Sequence, residues 1–326
     1  MNFWSKLDTP LDFFAFLLVL CVTFVNGFTD APNSIHSSVR VGGLSVFGAS
    51  LVSGFFNFLG VFISSLLFFS VGKSVCELAS ANGSKGSLMV SACLITVTLV
   101  GALAWVFKMP SSESHALLFS LMGARLCLGG AKEKYLLSLF YIVFSICASS
   151  FLSYLLSRFF VKKISPHLKI KRGLLTLSCS VLSFMHGAQD GQKLLAILLI
   201  VLGVGASGKT KPPLILIILI GAVMCISTLL SGKRILSSMD ELSENTDTSS
   251  VFFADFAVFS SLAVSSVFGF PVSTSNIKSA SVYATEQSPK IKSKRAIIKI
   301  FLTSIITLPI SFVLGFIICK LLILLT

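Results

Sequence analysis

The pattern of hydrophobic and polar positions divides the chain into ten apolar segments, arranged as two sets of five. The first set covers Leu11 to Val25 (continuing past a polar interruption toward Val41), Leu44 to Val71, Ser87 to Phe107, Ala116 to Leu128 and Tyr135 to Phe160. A basic connector, Arg158 to Arg172, leads into the second set: Leu174 to Val204 around another interruption, Pro213 to Leu230, Val251 to Phe268, Val272 to Ala284 and Ile297 to Leu325. Most of these runs reach the roughly 20 residues that an α-helix needs to cross the hydrocarbon core of a bilayer. The fourth segment of each set is short. Helices are predicted throughout, because lipid offers no water to unpaired backbone groups.

Two polar motifs each occur once per set. Asn26-Gly27-Phe28-Thr29-Asp30-Ala31-Pro32-Asn33 aligns with His186-Gly187-Ala188-Gln189-Asp190-Gly191-Gln192-Lys193, and Pro110-Ser111-Ser112-Glu113-Ser114-His115 aligns with Pro271-Val272-Ser273-Thr274-Ser275-Asn276. Asp30 to Pro110 is 80 residues and Asp190 to Pro271 is 81, so the copies are offset by 160 and 161. A two-motif spacing kept to one residue indicates duplication. Each Asp lies within an apolar run, where charge is costly. Polar, glycine-bearing interruptions at corresponding places in two halves point to a substrate site at the interface of membrane repeats. Proline followed by Ser and Thr frees backbone N–H groups and adds hydroxyl donors, which is tolerated where the backbone lines a cavity. The plainer alternative is a helix N-cap at the membrane border, a position that Ser and Thr also favour.

Composition narrows the class. With 326 residues, 54% hydrophobic and 12% charged, the chain is far more apolar than a soluble domain. Its eight cysteines are scattered without paired short spacings, which excludes a zinc or disulfide framework and leaves small buried hydrophobes. The net charge of +13 collects in loops between apolar segments, as membrane topology requires, and nucleic acid is not an expected partner. His36, His115, His167 and His186 read as hydrogen-bonded structural residues rather than metal ligands. Lys6, the following apolar run and Val25-Asn26-Gly27 imitate a secretory leader, but cleavage there would cut into the first motif, so none is expected.

Loop charge decides orientation. If the short fourth segments re-enter, each half crosses four times and the repeats run parallel; if they cross, each half crosses five times and the repeats are inverted. With five crossings and the N-terminus outside, fifteen Lys and Arg lie inside against eight outside, which the positive-inside rule favours. The expectation is an all-α polytopic membrane protein, multi-pass in the cell membrane, made of two inverted-topology repeats of about five transmembrane segments each with broken helices. Residues 1–165 and 173–326 are the repeats, residues 166–172 a basic cytoplasmic connector, and both termini lie outside. Ser237 to Ser250 reads as a solvated, flexible cytoplasmic loop.

Unwound helix ends can hold small oxyanions, because unpaired N–H groups and the positive end of the helix dipole converge there. Two Asp residues would repel such an anion unless a cation, a proton or a protonated oxyanion intervened, and that combination describes symport. The duplicated motifs resemble those of the inorganic phosphate transporter (PiT) family, in which each half carries a Gly-x-Asn-Asp-x-x-Asn and a Pro-Val-Ser-Thr-Thr-His signature. The resemblance implies a non-enzymatic symporter of inorganic phosphate, with no cofactor beyond a coupling ion, Na+ or H+, and it is compatible with a homo-oligomer in the bilayer. It implies substrate contacts at Asp30, Asn33, Ser112, Ser114, Asp190, Ser273, Thr274 and Ser275. Lys193, which stands where Asn33 stands in the first half, joins them; Asp30, Asp190, Thr29, Gln189 and Glu113 form the expected coupling-ion group.

Several positions depart from the family pattern. Thr29 and Gln189 replace the Asn before each Asp, Glu113 replaces a Thr, and Asn276 replaces a His. Lys193 and Glu113 are expected to form a charge pair beside the anion, since either alone would be expensive in such a place. Two other readings compete. Another oxyanion, chiefly sulfate, could use the same scaffold, although a phosphate that keeps a proton at neutral pH suits a carboxylate better. An intramembrane aspartyl protease is disfavoured because Gly187-Ala188-Gln189-Asp190 lacks the second glycine of its motif.

Overall fold

A computed structural model describes residues 7, 9–79, 86–106, 112–129, 135–204, 211–231, 241–242, 244, 247–286 and 288–325 of the chain. Among these the ordered elements are helical. Helix α1 (Pro10–Arg40) opens with a capping box between Thr9 and Asp12 and a proline in its first turn. It is followed by α2 (Val46–Leu67), capped by Ser45, then α3 (Ser70–Ala79), α4 (Gly86–Val106), α5 (Glu113–Cys127) and α6 (Tyr135–Lys163). A short 3-10 turn at Ser165–His167 begins the connector. The second half holds α7 (Leu174–His186), a π-helical turn (Gly187–Gly191), α8 (Gln192–Val201), α9 (Leu214–Leu230), α10 (Thr248–Val267), α11 (Thr274–Ala284) and α12 (Ile291–Leu325).

The packing repeats itself when the halves are exchanged. Helix α2 packs on α7 as α9 packs on α1; α5 packs on α12 as α11 packs on α6; α4 packs on α1 as α10 packs on α7. These pairings define a pseudo-two-fold axis, and the first helices show that it inverts the repeat. Ser53 bonds Ser183, Asn57 bonds His186, and Val61 abuts Gly191, so α2 and α7 run in the same direction. A short turn joins α1 to α2 and makes them antiparallel; α7, the counterpart of α1, therefore runs opposite to it. The halves are also interleaved, because the short helix of each docks on the last helix of the other.

Glycine explains the closeness of the first helices. A Cβ on Gly27 would lie 2.0 Å from the Ser227 Oγ of α9, and one on Gly187 would lie 2.2 Å from the Asn57 carbonyl of α2. The glycine of each polar motif thus marks the same backbone approach in each half, as small residues do at helix interfaces in membranes.

The connector lies on one face and both ends of the described chain on the other. Arg158 near the end of α6 donates to the carbonyl of Glu286 just before α12 at 2.8 Å, while Ser87 at the start of α4 bonds the carbonyl of Val201 at the end of α8. We call these the connector face and the termini face.

The structure differs from the sequence expectation in four places. Helix α1 continues through the first motif without unwinding, and the second motif forms a π-helical turn in which the helix widens and runs on. The expected segment from Leu44 to Val71 ends at Leu67, and α3 follows as a separate helix along α8. Gln192 stabilises this break, because its side-chain oxygen accepts from the N–H groups of Val71 and Gly72. Helices α5 and α11 have 15 and 11 residues, too short to cross at about 1.5 Å per residue. The approach to α11 turns at Gly269, whose φ is +70°, and residues 107–111, before α5, lie outside the described residues. In the loop expected to be solvated, Leu242 is buried against Val282 and Ile300, and Glu244 pairs with Lys290 at 2.5 Å on the surface; residues 237–240, 243, 245 and 246 lie outside the described residues.

Candidate functional site

The four motif copies meet in the middle of the bundle. Ser112 caps α5 by accepting from the His115 N–H, and Ser273 caps α11 by accepting from the Asn276 N–H. The N-cap reading of these residues is correct, but the caps are buried at the centre and not at a membrane border. Their hydroxyls touch, Ser112 Oγ donating to Ser273 Oγ at 2.8 Å. Two helix starts, each with a positive dipole end, therefore face one another across the pseudo-two-fold axis.

The two carboxylates are satisfied across the halves. Ser275 of the second half donates to Asp30 Oδ1 at 2.9 Å, and Ser114 of the first half lies 3.4 Å from Asp190 Oδ1. Thr274 donates to the other oxygen of Asp190 at 3.3 Å, and Asn33 donates to both Asp30 and Ser275. Carboxylate oxygens of Asp30 and Asp190 and a ring nitrogen of His186 all lie within 4.8 Å of one another. His186 reaches Asp190 through Nε2 at 3.2 Å and Asn57 through Nδ1 at 3.0 Å.

The charges are not distributed as expected. Lys193 does not pair with Glu113; its Nζ sits 2.5 Å from Asp190 Oδ1, 2.5 Å from the Val272 carbonyl and 2.9 Å from Ser114 Oγ. The reason is proximity along the helix, since Asp190 lies one turn before Lys193. Glu113 instead accepts from Thr29 at 2.8 Å and from Asn26 at 3.3 Å, and the same Asn26 amide donates to Asp30 at 3.3 Å. Asp30, Glu113 and Thr29 of the expected coupling-ion group thus come together. Gln189 does not join them, because its amide turns toward Ser266 of α10 at 2.9 Å, and Asp190 is occupied by Lys193.

Buried polar atoms without a hydrogen-bond partner remain around this cluster: Asn26 Oδ1, Gln189 Oε1 and both ring nitrogens of His115. Neither Asn26 nor His186 is among the site residues that the sequence leads one to expect. Their signal was available, since they head the two aligned motif copies.

Two small cavities flank the centre, each with room for about one water molecule. They are related by the repeat: Val22, Val97, Glu113 and Leu117 in one wall occupy the places of Leu182, Val258, Thr274 and Lys278 in the other, and Lys193 occupies that of Asn33. The first cavity lies on the termini side of Asp30 and Asp190, the second on the connector side. A buried pair such as Lys193 with Asp190 should lose roughly 3–5 kcal/mol when one partner is removed and much less when both are replaced. Thermal unfolding in detergent should therefore find Lys193→Met and Asp190→Asn each destabilising and the double variant less so than their sum. Additive losses would mean that the two are not coupled.

The model of the phosphate transporter family (PHO4) matches the chain twice, over residues 26–169 and 166–315. A probable low-affinity inorganic phosphate transporter of Mycobacterium leprae (strain TN) is 27% identical over 294 residues, spanning 82% of this chain and 68% of its own length. One of the same description from Bacillus subtilis (strain 168) is 24% identical over 320 residues, spanning 92% of this chain and 94% of its own. Among solved structures, one titled the sodium-dependent phosphate transporter superposes with a TM-score of 0.82 over 98% of this chain and 100% of that chain, at 17% identity. At that identity the likeness establishes the shared fold.

Proposed function

Because the chain belongs to the phosphate transporter family, we propose that it is a secondary active transporter that carries inorganic phosphate across the cell membrane by symport with sodium ions or protons. The observation that carries this reading is the crossing at the centre, where the helix starts of each half supply hydroxyls to the carboxylate of the other.

Phosphate fits that junction chemically. Ser112, Ser114, Ser273, Thr274 and Ser275 offer hydroxyls at two helix starts, Asn33 an amide, and Lys193 an ammonium. These donors now bond the carboxylates and one another, so an arriving anion replaces those bonds. A phosphate that retains a proton can donate to Asp30 or Asp190, whereas sulfate leaves the carboxylate facing an oxyanion with no hydrogen between them.

Coupling follows from the acidic side of the cluster. Asp30 and Glu113 share one amide, Asn26, and no lysine among the described residues bonds either of them, while Asn26 Oδ1 is buried without a partner and Thr29 adds a hydroxyl. A sodium ion or a proton at this place neutralises charge that would otherwise repel phosphate, which makes the two solutes depend on one another. The small cavities on either side mark where the bundle would open in turn, in keeping with alternating access around a fixed site. The connector face, with Arg158, Lys162, Lys163, Lys169, Lys171 and Arg172, is the cytoplasmic one under the positive-inside rule.

Two measurements test this. In proteoliposomes, labelled phosphate uptake should respond to an imposed sodium or proton gradient, resist an equal concentration of sulfate, and be lost in Asp30→Asn and in Asp190→Asn although both variants insert. Gradient-driven uptake at the wild-type rate by both variants would refute the coupling scheme; block by sulfate would promote the sulfate reading. For orientation, a reporter that is active only outside the cell should work when fused after Leu325 and be silent when inserted at Lys169, and the reverse pattern would invert the protein in the membrane.

A further inference from the structure

Away from the central cluster, one buried ionic group has no counterpart in the other half. Lys278 of α11 and Asp255 of α10 are each 1% exposed and form an ion pair. Ser37 of α1 joins them, donating to Asp255 Oδ1 at 2.7 Å and accepting from Lys278 Nζ at 2.8 Å. The second oxygen of Asp255 is buried with no partner. At the repeat offset of 161, Lys278 falls on Leu117 and Asp255 on Leu94, both buried and apolar. The first half therefore fills this place with two leucines that the same architecture accommodates.

Stability does not account for the exchange, because a buried ion pair is typically no better than well-packed apolar residues of similar volume. Position does. Lys278 lines the cavity on the connector side, while Asp255 stands behind it and outside that wall. The cavity on the termini side has its own lysine, Lys193, supplied from a different position of the repeat. Each cavity thus carries one ammonium, each held by a buried aspartate and a serine hydroxyl: Lys193 by Asp190 and Ser114, Lys278 by Asp255 and Ser37. Two lysines that the duplication did not copy thus line the cavities on the two sides of the centre, from different positions of the repeat.

We infer that Lys278 forms a second anion site, where a tetrahedral oxyanion is held between the central junction and the connector face. The inference rests on the oxyanion-transport reading above, with phosphate as the substrate. Asp255 neutralises the ammonium when no anion is near, which keeps a charged side chain tolerable in a nearly dry wall. As the connector side opens, the anion takes hydrogen bonds from Lys278, while Ser37 and Asp255 fix where the ammonium points. Asn33 and Ser34, in the same wall, lie on the way from the centre.

The test gives the second half the residues of the first. The variant Lys278→Leu with Asp255→Leu leaves no buried charge unpaired, and its thermal unfolding should stay near that of the wild type. Equilibrium binding of labelled phosphate to the solubilised protein should change by less than about threefold, and uptake into proteoliposomes should fall by about tenfold or more. Lys278→Arg, which keeps the charge, should retain at least about a third of the wild-type rate. If the leucine variant melts early, Lys278→Gln with Asp255→Asn takes the same measurements. Uptake at the wild-type rate would overturn the inference and leave the pair structural; loss of binding together with uptake in a folded variant would overturn it too, by placing Lys278 at the centre. A wild-type protein that carries labelled sulfate and not phosphate would fail the function reading instead, and Lys278 would then be assessed with sulfate by the same ratio of binding to uptake.

Discussion

A carboxylate in the middle of an apolar bundle must be given partners, and most of this structure can be read as the supply of them. Asp190 is 2% exposed and sits, with Asp30, amid helices whose outer sides expose large apolar side chains. The costs of burying such groups unpaired run to several kcal/mol each, so every oxygen needs a donor. Some donors come from the other half of the chain, Ser275 for Asp30 and Ser114 for Asp190, and the rest from the same half: Asn26 and Asn33 for Asp30, and Thr274, Lys193 and His186 for Asp190. That need explains why the halves interleave. Helices α5 and α11 must stop at the centre to present their first residues, and each then requires a long helix of the opposite half, α12 or α6, to bury the rest of its surface. The glycines of the first motif serve the same end, because Gly27 and Gly187 let α1 and α7 come close enough to their neighbours for the carboxylates to lie together.

Symmetry brings the motif residues together at the centre, and departures from symmetry make its two sides unlike. Four exchanges matter: Lys193 for Asn33, Glu113 for Thr274, Lys278 for Leu117 and Asp255 for Leu94. The termini-side cavity receives a lysine and a glutamate, whereas the connector-side cavity receives a lysine whose counter-charge stands outside its wall. An anion and a cation entering from the two faces would meet different surroundings, although the backbones that form them are copies.

Much of this was legible in the sequence, for identifiable reasons. The doubled motifs and their preserved spacing located the central residues, since a duplicated framework repeats its polar positions even where lipid-facing residues drift. Apolar run length recovered the six helices that are long and apolar enough to cross a bilayer, because hydrocarbon thickness sets that length directly. What sequence could not supply was local. The polar, glycine-bearing interruption at Gly27 to Asn33 suggested a broken helix, yet α1 runs through it as a continuous helix. The pairing of Lys193 with Glu113 looked sensible from charge alone, but Asp190, one helical turn away, competes better than a residue that must be reached across the bundle. Asp255 was invisible for a related reason: a single acid within an apolar run has no repeat partner to draw attention to it, and only the fold brings Lys278 and Ser37 to its side.

The central claim is that one phosphate is held where the starts of α5 and α11 face each other. A cryo-electron microscopy structure of the purified protein in lipid nanodiscs with phosphate tests it directly. The account predicts tetrahedral density at the junction of Ser112 and Ser273, within hydrogen-bond distance of Ser114, Ser275 and Lys193, with Asp30 and Asp190 still alongside. Density confined to the basic connector, with the Ser112 to Ser273 hydroxyl contact unbroken, would contradict it.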